Sequence, residues 1–251
     1  MSADSKKELY IVGLGPGARQ KMTQEAIDVV EACEVIAGYK VYIDLLKPYY
    51  PDKEYLVNGM RQEVERCRLA LETAAGGKKT ALVCSGDAGV YGMAGITLEL
   101  ATEFPEVDVH VIPGVTAALS GAALLGAPLG HDFTVISLSD LLTPWELIER
   151  RLAAAAEGDF AICLYNPSSH KRHDYLQKAC QNSVTEKILE IQSSGITRNI
   201  GRDGEEKRIL TLDELLETQV DMFTTVFIGN SQTRKVGDAM VTPRGYRRDN
   251  A

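Results

Sequence analysis

Asp87 is the carboxylate in this chain whose surroundings most suggest chemistry. It follows an apolar run, residues 81–84, and the pair Ser85-Gly86. The run reads as a buried strand, Ser-Gly-Asp as a tight turn at its C-terminal tip, and the small residues beyond as the approach to a helix. Ligands of open α/β sheets bind at such tips. An aspartate there suits hydroxyls or a positive centre on a ligand, and the turn's backbone amides suit acceptors. The same aspartate would also serve as a cap for the next helix.

A second candidate is the glycine loop of residues 10–18, Tyr-Ile-Val-Gly-Leu-Gly-Pro-Gly-Ala. Gly13, Gly15 and Ala18 fit the dinucleotide pattern G-x-G-x-x-[GA]. Pro16 removes an N–H where a pyrophosphate needs one, and the next strand ends in Ile36-Ala37-Gly38 with no acid for a ribose. The loop is not a P-loop, because no Gly-Lys-Ser/Thr follows. A nucleotide-dependent oxidoreductase is therefore a rival reading, and a turn that only reverses the chain is another.

Histidine is the natural proton carrier near neutral pH. His131 precedes a strand, His170 and His173 flank a polar loop, and His110 lies mid-strand, where a structural role is expected. Asp140 follows a strand and is a further proton-carrying candidate, or else part of the turn before a helix. Arg198, Arg202, Lys207 and Arg208 form one basic group, and Arg234, Lys235, Arg244, Arg247 and Arg248 another. Guanidinium groups pair well with carboxylates.

The 251 residues suffice for one large α/β domain or two modest ones. A formal net charge of −8 argues against broad nucleic-acid binding. No apolar run reaches membrane-spanning length, and a polar start leading directly into a strand argues against a signal peptide. Five cysteines without a C-x-x-C pair fit a reduced, cytoplasmic protein with thiols as small core residues. No metal site is expected.

Strand-like and helix-like segments alternate, which implies parallel strands and right-handed crossovers. Strands are expected at 9–13, 34–37, 80–84, 107–112, 133–138 and 160–164. Helices are expected at 23–33, 61–75 and 115–125, and a mostly helical stretch at 170–192. In 61–75, Val64, Cys67, Leu71 and Ala74 mark the buried face, with Arg66 and Glu72 opposite. Thr143, Pro144 and Glu146 predict a capped helix start. The last third carries strands at 196–200, 208–212 and 224–228 with short links, around a brief helix at 212–217. Short links favour antiparallel pairing, so the second half is expected to hold a mixed sheet. Pro113-Gly114 marks a boundary between domains 1–114 and 115–251.

The motifs taken together resemble the tetrapyrrole (corrin/porphyrin) methyltransferases. The match rests on residues 12–17 (VGLGPG), 85–94 (SGDAGVYGMA), 112–118 (IPGVTAA), 164–167 (LYNP) and 198–205 (RNIGRDGE), in family order. Residues 137–152, 224–234 and 240–246 are similar to the ring-contracting branch, which methylates carbon 17 of precorrin-3B or cobalt-factor III in cobalamin biosynthesis. The resemblance implies two α/β domains with an active-site cleft between them, and a homodimer. It implies S-adenosylmethionine as cofactor, held by Gly86, Asp87, Val90, Tyr91, Thr116, Ala117, Leu164, Tyr165, Asn199 and Ile200. It turns the first glycine loop, Gly15, Pro16 and Gly17, toward a polycarboxylated tetrapyrrole substrate. Asp140 and His131 remain the candidates for moving the proton that ring contraction requires. Ala88 stands where the family commonly has proline, and residues 18–21 lack its usual acidic-proline pair. Methylation at a different carbon is a rival within the family, and a non-enzymatic tetrapyrrole-binding protein is a rival outside enzymology.

Overall fold

A computed structural model describes residues 6–59, 61–168, 174–182 and 193–246. His170, His173, Arg247, Arg248 and residues 183–192 lie outside them. The chain divides into two compact units, Met1–Thr116 and Ala117–Ala251.

The first unit is built on five strands, β1 (Glu8–Gly13), β2 (Val35–Tyr39), β3 (Glu54–Asn58), β4 (Thr80–Cys84) and β5 (Asp108–Ile112). They lie in the order β3-β2-β4-β1-β5, and every pairing is parallel. Buried on both sides, β4 is apolar throughout apart from Thr80. Helices α1 (Gln24–Ala32) and α2 (Lys40–Leu46) cover one face through Ala26, Val30, Ile43 and Leu46. Helices α3 (Glu63–Ala75) and α4 (Ala94–Ala101) cover the other through Cys67, Leu71, Ala74 and Ala94. The connection leaving β1 runs over the first face and the one leaving β4 over the second. The topological switch point therefore falls between β1 and β4, at their C-terminal ends.

Helix α2 and strand β3 are not legible in the sequence: each is too short to show a period. The expected faces of α3 need correction. Val64 is 53% exposed, while Arg66 is 5% exposed, drawn inward by hydrogen-bond acceptors rather than by apolar periodicity.

The second unit holds a five-stranded mixed sheet in the order β10-β9-β11-β8-β7, from β7 (Phe133–Ser137), β8 (Ala161–Tyr165), β9 (Ser194–Arg198), β10 (Glu206–Leu210) and β11 (Thr224–Ile228). Only the β7–β8 pairing is parallel; β11 runs antiparallel to both β8 and β9. Helices α6 (Trp145–Glu157), α7 (Tyr175–Asn182) and α8 (Leu212–Glu217) bury Ile148, Leu152, Leu176 and Leu215 on one face. Helix α5 (Ala117–Leu125) lies on the other, over Cys163 and Phe227. A small sheet joins β6 (Gly126–Ala127), β12 (Arg234–Val236) and β13 (Ala239–Val241) in the order β12-β13-β6.

The cap read at Thr143 is revised. The Pro144 carbonyl, not the Thr143 side chain, takes the first amides of α6, from Leu147 and Ile148. The reciprocal capping box belongs instead to Thr211 and Glu214 at α8.

Candidate functional site

In the first unit, three loops leave the C-terminal ends of β1, β4 and β5 and lock backbone to backbone. Leu14 N–H donates to the Cys84 carbonyl at 2.9 Å, and Gly15 and Gly86 exchange two hydrogen bonds of 3.0 and 2.8 Å. Both glycines are left-handed, each with φ of 67°. A Cβ on Gly114 would stand 2.1 Å from the Gly86 carbonyl oxygen and 2.5 Å from that of Gly13, so glycine alone fits where the β5 loop crosses the other two.

The Asp87 carboxylate holds this arrangement in place. Its Oδ1 accepts from the amides of Gly89 (2.8 Å) and Val90 (3.2 Å), and its Oδ2 from that of Gly114 (3.0 Å). The side chain thus turns inward onto its own loop and the next, instead of capping α4, which starts seven residues later at Ala94.

The glycine loop after β1 does not open a helix. A 3-10 turn, Arg19–Lys21, follows it, and α1 starts only at Gln24, capped by Thr23. In a dinucleotide fold the helix N-terminus follows the glycines directly and faces the pyrophosphate. The oxidoreductase reading fails on this geometry as well as on Pro16.

In the second unit, β7, β8 and β9 run in one direction, so their C-terminal ends share an edge. Tyr165 ends β8, and its hydroxyl accepts from the Ala118 amide in the first turn of α5 at 2.7 Å. Asn166 follows and donates to Ser137 Oγ at 2.9 Å, tying the ends of β8 and β7. Asn199 follows β9. Asp140, in the loop after β7, accepts from the Tyr175 hydroxyl at 2.6 Å, and Tyr175 packs on Trp145 with ring centroids 4.7 Å apart.

Among the described residues, four of the five non-glycine residues with positive φ sit in the loops that leave strand C-terminal ends: Arg61 (65°), Tyr91 (53°), Asn166 (53°) and Asn199 (50°). Such backbone costs about 1–3 kcal/mol per residue and gathers at ligand sites.

Beside Asn199, Arg198 Nε donates to Asp221 Oδ2 at 2.8 Å. Burial alone would raise the Asp221 pKa. The Arg198 guanidinium and the Thr224 hydroxyl and Phe223 amide outweigh it and hold the group below its ordinary 3.8. The five cysteines are all free and buried. Burial pushes Cys84 up to about 11 and Cys33 and Cys180 to about 12, so none of these is a thiolate nucleophile. Among the described residues no cluster of three or more His, Cys, Asp or Glu could hold a metal ion.

A family model described as "Tetrapyrrole (Corrin/Porphyrin) Methylases" matches residues 8–216. The chain belongs to that family. The methylase is 46% identical, over 95% of its length and 99% of the relative's, to the "Probable cobalt-factor III C(17)-methyltransferase" of Salmonella typhimurium. It is 41% identical, over 95% and 96%, to the "Precorrin-3B C(17)-methyltransferase" of a Sinorhizobium species. Among solved structures, the methyltransferase CobJ superposes with a TM-score of 0.84 at 34% identity, covering 94% of this chain and 99% of that one. The uroporphyrin-III C-methyl transferase of Thermus thermophilus, solved with S-adenyl homocysteine, shares the fold at TM-score 0.67 and 21% identity, over 88% and 97%.

The methylase fold spreads the expected site residues unevenly. Gly86 and Asp87 are engaged within the protein, Val90 is half-buried, and Tyr91 stands 58% exposed. Thr116 and Ala117 are half-buried at the start of α5. Leu164 (0% exposed) and Ile200 (7%) point into cores and present only backbone. Gly15 and Pro16 are buried, and Gly17 is half-buried. His131 and Asp140 stand at opposite ends of β7. His131 precedes β7, a strand length of roughly 17 Å from the Asp140 end, and its Nδ1 accepts from the Asp132 amide at 2.9 Å. Arg66 and Tyr175 escape a reading of the sequence: nothing in their local pattern signals a role, which only the fold brings out.

Proposed function

We propose that this methylase transfers a methyl group from S-adenosylmethionine to carbon 17 of precorrin-3B or cobalt-factor III, with ring contraction, in cobalamin biosynthesis. The observation that carries the reading is the end-to-end likeness to the C(17)-methyltransferase of Salmonella typhimurium, 46% identical over 99% of that protein.

The cofactor is a donor of an electrophilic methyl group on a sulfonium. In this reading Gly86, Asp87, Val90, Tyr91, Thr116, Ala117, Leu164, Tyr165, Asn199 and Ile200 would hold it; of these, Tyr91 and Asn199 each hold left-handed backbone in a loop after a strand of their own unit. Methyl transfer to carbon asks mainly for alignment at about 3–3.5 Å and exclusion of water. The Gly15–Gly86 bridge and the Asp87 clamp supply rigid positioning for it. The loop of Gly15, Pro16 and Gly17 faces the tetrapyrrole in this reading. Asp140, already paired with a phenol that can relay a proton, serves the contraction step better than His131.

The same reading makes the protein a cytoplasmic homodimer that binds no nucleic acid. Leu119, 51% exposed on α5, supports the dimer. The small residues of α5 do not, because Gly121 and Ala122 pack within the unit. Light scattering at micromolar concentration should give a dimer mass. No helix among the described residues is long and apolar enough to cross a membrane. The deciding test is mass spectrometry after incubation with S-adenosylmethionine and either precorrin-3B or cobalt-factor III. One added methyl group on a contracted ring is expected from at least one of them; no methyl transfer to either overturns the reading.

A further inference from the structure

Arg66 is a buried charge without a counter-charge. It is 5% exposed, and no carboxylate pairs with it among the described residues. Its Nε donates to Asn58 Oδ1 at 2.7 Å, one terminal nitrogen to the Gly59 carbonyl at 2.7 Å, and the other to the Met93 sulfur at 3.7 Å. The guanidinium carbon lies 5.8 Å from the centre of the Tyr39 ring. All these partners are neutral, and a thioether is a weak acceptor.

The donors do not balance the acceptors. A guanidinium carries five N–H groups, and three are engaged. The Asn58 amide nitrogen beside it is buried and has no partner. Buried polar groups are as a rule hydrogen-bonded, and buried cations paired, because the alternative costs several kcal/mol. One group type would satisfy both residues at once: a planar oxyanion with several lone pairs, that is, a carboxylate.

The place is as telling as the chemistry. Tyr39 ends β2, Asn58 ends β3, and Met93 closes the loop that follows β4. The cluster therefore stands at the C-terminal edge of the first sheet, where α/β proteins hold ligands. We propose that Arg66 and Asn58 form a subsite for one carboxylate side chain of the substrate, with Arg66 its charged anchor. This rests on the proposed tetrapyrrole function for the identity of the molecule that brings the carboxylate.

Asn58→Asp tests it, because the new side chain is itself the missing counter-charge, built where Oδ1 already meets Arg66. Dissociation constants for the tetrapyrrole and for S-adenosylmethionine would be measured with the thermal midpoint, in wild type and variant. The expected result is a midpoint equal to or above wild type, cofactor affinity within about twofold, and tetrapyrrole affinity weakened roughly 10- to 100-fold, the equivalent of one charge-assisted hydrogen bond. A merely structural Arg66 would gain from the same substitution without losing substrate, so unchanged tetrapyrrole affinity overturns the proposal. Should Asn58→Asp not fold, Arg66→Lys takes its place, with about tenfold weaker tetrapyrrole binding expected and unchanged binding overturning the idea. If wild type binds no tetrapyrrole at all, it is the functional reading that fails. The subsite is then judged with acetate against chloride: a midpoint raised by acetate in wild type but not in Asn58→Asp supports it, and equal responses sink it.

Discussion

The Asp87 carboxylate serves three backbone amides of its own unit, and this sets what its removal must do. Asp87→Ala leaves those N–H groups without their acceptor and frees the β5 loop from the β4 loop. A loss of about 1.5–3 kcal/mol in urea unfolding is expected, with cofactor affinity falling alongside. Asp87→Asn should recover part of both, since one oxygen remains to accept; stability unchanged in Asp87→Ala would mean the clamp contributes nothing. Asp221 gives a pH signature. Its folded-state pKa lies below its ordinary 3.8, so its contribution is present above that value and fades as the pH falls through the lower, folded one. Asp221→Asn should destabilise by about 0.5–1 kcal/mol at neutral pH, the scale of a partly exposed pair. Denaturation curves of wild type and variant should converge in acid.

Among the elements, α5 shows how a helix rich in small residues is used. A Cβ on Gly121 would lie 2.6 Å from Thr197 Oγ1 and 2.9 Å from the Phe227 ring, so the glycine lets α5 rest directly on β9 and β11. Gly95, in α4, has nothing within 4 Å of the same position. Gly121→Ala is therefore expected to destabilise by about 1–3 kcal/mol through overpacking, and Gly95→Ala to stabilise by about 0.4–1 kcal/mol by restricting the unfolded chain. Thermal midpoints moving in the same direction would contradict the packing described. Small residues of this kind would equally suit contact between subunits. Sequence shows that a helix is smooth but not which neighbour meets the smooth face.

Across the whole molecule, the motifs that could be read in the sequence are the turns at strand ends. Residues 12–17, 85–94 and 112–118 begin in the last residues of β1 and β5 or directly after β4, and residues 164–167 and 198–205 begin at the ends of β8 and β9. A turn needs particular residue types at fixed spacing, so it leaves a mark in one sequence. The strands β1, β4 and β8 are legible because burial on both sides makes them nearly continuously apolar. Arg66 left no such mark, because its burial depends on acceptors contributed by β3 and by the loop after β4. The pairing of Asp140 with Tyr175 joins residues 35 positions apart and was hidden for the same reason.

The bridge between Gly15 and Gly86 has one more consequence. By composition, Gly-Leu-Gly-Pro-Gly should be among the most mobile stretches of the chain. Yet the Gly15 and Gly86 amides each donate to the other residue's carbonyl, and both residues are buried. Neither amide can meet solvent unless the two loops part at the centre of the sheet, which makes their opening a sub-global event and not a local fluctuation. In deuterated water, peptides spanning the two glycines should therefore retain hydrogen about as long as those from β1 and β4, while the neighbouring residues 17–21 exchange early. A loop built from the residues most tolerant of motion would then keep time with the core.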